Sequence, residues 1–148
     1  MTLEKQVCSL ELAKKLKELG VEQESVFWYV DVDGYDSELV IEEYLIPKKG
    51  FFFNKKEKGG ISAFTGAELG EMLPKQIEYK VSDYGDRAGY RSLDLKCGKA
   101  IINDGWYVLY SDPHTSNLVP VYGTYETTEA DARAKMLVYL IENKLITL

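Results

Sequence analysis

"TEADARAKMLVYLIENKLI", residues 128–146, is the segment around which the rest of the chain can be arranged. Thr128 stands where a helix N-cap is needed, and Glu129 and Asp131 put negative charge at the positive end of the helix dipole. At about 100° per residue, Ala130, Ala134, Leu137, Val138, Leu140, Ile141 and Leu145 share one broad apolar face, which Ala132, Met136 and Tyr139 extend. Asp131, Lys135 and Glu142 form the polar strip, and the i,i+4 spacing of Asp131 and Lys135 predicts an ion pair. A helix apolar over more than half its circumference is a buried one. The segment therefore predicts a helix over 129–144 that supports the core rather than a recognition surface.

Two shorter helices can be read from their ends. The first covers about 9–19: Ser9 is the expected N-cap, and Leu12, Ala13, Leu16 and Leu19 make a narrow apolar stripe. Gly20 supplies the left-handed residue that closes it, with Val21 packing back on Leu16. The second covers 66–73 in "FTGAELGEML". Thr65 and Glu68 form a T-x-x-E capping box, and Phe64 with Leu69 are placed as a hydrophobic staple. Gly66 and Gly70 weaken this helix and Pro74 ends it.

Between the helices the hydrophobic period falls to two. "VFWYVDV" (26–32) and "LVIEEYLI" (39–46) predict a strand pair turning at Asp33-Gly34. "QIEYKVS" (76–82) and "YRSLDLKC" (90–97) predict a second pair. "AIINDGWYVLY" predicts a hairpin with a two-residue type I′ turn at Asp104-Gly105. "LVPVYG" (118–123) predicts a last strand, kept to a sheet edge by Pro120. Trp28 and Trp106, inside predicted strands, are expected in the core. Hairpins in series with helices at the start, middle and end give an α+β domain over 1–148, its sheet mostly antiparallel and packed by three helices.

Composition narrows the functional classes. The chain has 148 residues, 45% of them hydrophobic and 28% charged, which suffices for a core without metal or disulfide support. Its net charge of −6 disfavours nonspecific adhesion to nucleic acid or anionic lipid. No apolar run reaches the ~20 residues of a membrane helix, and the N-terminal segment is too charged for a signal peptide. These features predict a soluble intracellular protein, without a membrane partner. Cys8 and Cys97 sit in no CxxC pair and are expected as reduced, half-buried thiols, though sequence alone leaves a disulfide open.

Several segments offer the ingredients of a site without its spacing. "DVDGYDSE" (31–38) is rich in carboxylates, but Tyr35 stands at the fifth position, where a calcium loop needs a ligand, and Gly34 at the fourth rather than the sixth. "KKGFFFNKKEKGG" (48–60) interleaves lysine with aromatics yet has no arginine, which weighs against nucleic-acid recognition. His114, the one histidine, lies in "SDPHTSN" with no second histidine or cysteine nearby in sequence. "YGDRAGYR" (84–91) fits neither phosphate- nor dinucleotide-loop spacing, but aromatic and arginine residues carry binding hot spots. Tyr84, Arg87, Tyr90, Arg91 and His114 are thus the candidate partner-binding residues. The sequence nominates no catalytic residue, metal ligand or cofactor motif.

"VCSLELAKKLKELGV", "AFTGAELGEMLP" and the 128–146 segment together resemble a family of small hypothetical proteins carried by phages and prophages of bacteria, many from the gut. The resemblance covers about a third of the chain. "VYGTYETTEADARAKML" is similar in style to the small α-β-α sandwich domains of phage proteins. Neither likeness supplies an activity. What they imply is a phage-derived protein made in a bacterial cytoplasm. The resulting expectation is a non-enzymatic accessory protein that binds a macromolecule, a host or phage protein rather than nucleic acid. The alternative is a small hydrolase or transferase with a loop-built site near His114.

Overall fold

The computed structural model describes residues 2–31, 37–41, 60–81, 89–101, 104–114 and 122–148. After a single 3-10 turn at Leu3–Lys5 come α1 (Leu10–Glu18), β1 (Phe27–Asp31), β2 (Ser37–Ile41), β3 (Ile61–Ser62) and α2 (Gly66–Met72). They are followed by β4 (Gln76–Val81), β5 (Gly89–Lys99), β6 (Trp106–Ser111), β7 (Tyr122–Glu126) and α3 (Glu129–Glu142). The fold is α+β, as the alternation of periods requires.

The strands form two antiparallel sheets rather than one. β1 lies between β2 and β3, and the second sheet is a four-stranded meander in the order β4-β5-β6-β7. β3 has no counterpart in the sequence reading. With two residues it is too short to show a period, and its pairing of Ile61 with Tyr29 and Ser62 with Trp28 is what holds it.

The helices start where expected and α1 and α2 stop for the expected reasons, with one exception at a cap; α3 ends at Glu142, two residues short of the predicted 144. Gly20 takes φ 87°, Val21 N–H donates to the Leu16 carbonyl and Gly20 N–H to that of Lys17, a complete Schellman closure of α1. At α2 the Thr65 and Glu68 side chains cap reciprocally, while Phe64 and Leu69 are both fully buried. The exception is Ser9. Its backbone occupies the N-cap position, but its hydroxyl makes no capping bond; instead Ser9 N–H donates to Asp131 Oδ1 at 2.7 Å.

That contact rearranges the expected charge pattern of α3. Thr128 Oγ1 accepts from Asp131 N–H as its cap should. The Asp131 carboxylate, however, ties α3 to the start of α1 instead of pairing with Lys135, which binds Glu126 of β7. Glu142 pairs with Lys15 of α1 at 2.8 Å. The polar strip is therefore a seam to neighbouring elements.

α3 crosses β6 and β7, and α1 and α2 pack against α3. Ala130, Ala132, Ala134, Met136, Leu137, Val138 and Leu140 are buried on it, in one cluster with Leu16, Phe64, Leu69, Ile77, Leu93, Val108 and Tyr110. Small side chains on the sheet side let Thr124 of β7 donate its hydroxyl to the Ala132 carbonyl at 2.9 Å. Tyr139 departs from its expected place. At 36% exposure it leans on Tyr122, ring centres 5.2 Å apart.

Two strand boundaries also differ from expectation. The hairpin into β6 is made by β5, which runs to Lys99, so Ala100 and Ile101 lie in the connection and not in a strand. Asp104 takes φ 52° but Gly105 does not take a positive φ, so this is no type I′ turn, which needs both. The last strand is Tyr122–Glu126, displaced toward the helix from the predicted 118–123; residues 115–121, with Pro120, lie outside the described residues. As an edge strand β7 does have the position anticipated for it.

Candidate functional site

The side chains of the meander divide by alternation into two faces. Ile77, Leu93, Leu95, Val108, Tyr110 and Thr124 point toward α3 and the core. The opposite face consists of cross-strand rows that the register fixes. Gly98, Tyr107 and Tyr125 stand side by side across β5, β6 and β7; Lys96, Leu109 and Gly123 form the next row; Gln76, Asp94 and Ser111 the next. Glu78 and Ser92 continue it. Gln76, Glu78, Ser92, Lys96, Gly123 and Tyr125 are exposed, so this face is open along much of its length.

The aromatic end of that face is built to hold its rings. A Cβ at Gly98 would stand 2.7 Å from Tyr107 Oη and 3.0 Å from its ring carbon Cζ, so the ring lies over the glycine. A Cβ at Gly105 would overlap the Tyr125 ring in the same way. Tyr107 and Tyr125 are directly opposite one another and flank half-buried Leu109. Tyr125 is 46% exposed, a high value for a side chain so closely supported from beneath. At the polar end Gln76 Nε2 donates to Asp94 Oδ1 at 2.8 Å.

Of the residues nominated from sequence, the structure brings Arg91 and His114 together through an intermediary. Asp112, after β6, accepts from Arg91 Nη1 at 2.9 Å and from His114 N–H at 2.8 Å. Its carboxylate is 4% exposed, and the His114 N–H and the Arg91 guanidinium hold it below the usual carboxylate range against the opposing pull of burial. It is the backbone of His114, not the imidazole, that makes this contact, and His114 is exposed. The arrangement fastens the chain leaving β6 onto β5. Tyr90 lies in β5 opposite Lys80. Tyr84 and Arg87 lie outside the described residues, as do 32–36 of the carboxylate-rich turn and 48–59 of the lysine–aromatic segment.

Asp112 was missed by sequence reading although a signal existed. An Asp whose carboxylate accepts the N–H two residues on is an Asx turn, and Asp-Pro is a common way to begin one.

Neither thiol has the lowered pKa of an activated nucleophile. Burial pushes Cys8 up to about 12, and it raises half-buried Cys97 against the opposing pull of Arg133. Both cysteines are free; Cys8 is fully buried, more so than expected. Trp28 is a core residue at 5% exposure, whereas Trp106 is half-buried at the wall of a cavity of about 460 Å³. That cavity lies between the first turns of α2 and α3, with Lys5, Gln6 and Lys99 at its rim. Among the described residues no group of His, Cys, Asp and Glu could hold a metal ion, and no helix is long and apolar enough to cross a membrane.

The chain matches no protein-family model, no curated protein and no solved structure.

Proposed function

We propose that the chain is a non-enzymatic accessory protein of phage or prophage origin, working in the bacterial cytoplasm by binding a host or phage protein on the open face of its meander. The observation that carries this reading is the neighbouring pair Tyr107 and Tyr125, whose rings lie over Gly98 and Gly105. Side chains ordered before contact lose little conformational freedom on binding, and tyrosine is among the residues that dominate binding energy. The net charge of −6 favours a protein partner over a phosphate backbone. The phage assignment is supported by the resemblance of the three helical segments.

A photo-crosslinking residue in place of Tyr125 tests the reading in the bacterium that carries the gene. The expected result is a discrete protein adduct at position 125, insensitive to nuclease, weakened by Leu109→Glu, and missing when the probe replaces exposed Glu22. Equal labelling at both positions, or an adduct that nuclease removes, would overturn it.

A further inference from the structure

We draw no further inference here: the strongest candidate, the cavity between the first turns of α2 and α3 walled by Trp106, rests on helix N-termini, and no described side chain that is both buried and unpartnered lines it.

Discussion

Replacing Asp131 tests how the long helix is tied to the rest of the molecule. Its carboxylate accepts Ser9 N–H at 2.7 Å and stands in the first turn of α3. A hydrogen bond to a charged group contributes about 1.5–3 kcal/mol, toward the low end at an exposed site such as this. Negative charge at a helix start adds about 0.3–1 kcal/mol. Asp131→Ala should therefore cost about 2–3 kcal/mol by these two effects. Asp131→Asn keeps an acceptor oxygen and should cost less. The two contributions can be separated because Ser9 has φ −58°, which proline also adopts, so Ser9→Pro deletes the donor without forcing the backbone. Proline's effect on the unfolded chain is the same with and without Asp131 and cancels in the cycle. In the Ser9→Pro background Asp131→Ala should cost only the dipole part, about 0.3–1 kcal/mol. Urea unfolding followed by tryptophan fluorescence supplies the four free energies. Equal costs for Asp131→Ala in both backgrounds would refute the tie and leave α1 docked on α3 by apolar contact and the Lys15–Glu142 pair.

Other consequences can be measured in the same way. Leu137, 1% exposed in the cluster on α3, should cost about 2–5 kcal/mol when cut to Ala, and an unchanged melting temperature would show that this face is not core. Ser62 is fully buried and its hydroxyl has no hydrogen-bond partner among the described residues, so Ser62→Ala should leave stability equal or raise it by about 1 kcal/mol; a clear loss would mean the hydroxyl is satisfied. Burial raises Cys8 from 9.0, and Tyr29 and Tyr110 from 10.0, each to about 12. Their contribution is complete below the unfolded values and is lost as pH rises toward the folded ones, so the urea midpoint should fall between pH 9 and 12. A flat midpoint across that range would contradict the burial of these groups.

The helices were legible because their signals are local. A Thr65 cap with Glu68 three residues on, or a Gly20 followed by Val21, is decided within one turn of chain, and each appears in the structure as read. Misreadings came where a partner distant in sequence overrode a local preference. Asp131 and Lys135 are spaced to meet each other, yet each found a better partner elsewhere, Ser9 and Glu126. Asp104-Gly105 suits a two-residue turn, but the Gly105 carbonyl accepts from Ala100 N–H across the hairpin, so these two residues are not the whole turn. Splitting the strands into two sheets was likewise beyond local pattern, since β3 is defined by its neighbour and not by its own period.

The candidate site was hidden for a related reason. "WYVLY" is apolar at every position, so its alternation alone cannot say which side faces the core. The register resolves it: Val108 and Tyr110 are fully buried beneath α3, which sends Tyr107 and Leu109 to the other face. Once that face is known, Gly98 and Gly105 change meaning. As isolated letters they are a weak point in a strand and half of a turn signal; in the folded chain each is the space a tyrosine ring occupies. An alanine at either position would have to displace its ring, and at Gly105 it would also press on the Glu126 carbonyl, 2.9 Å from the new Cβ. A sheet face kept merely soluble needs no such fit, because lysine or threonine would solvate it without excluding a side chain below. The pairing of two tyrosines with two glycines supports the sheet and fixes both rings in place, and the proposed binding role draws on that fixed arrangement.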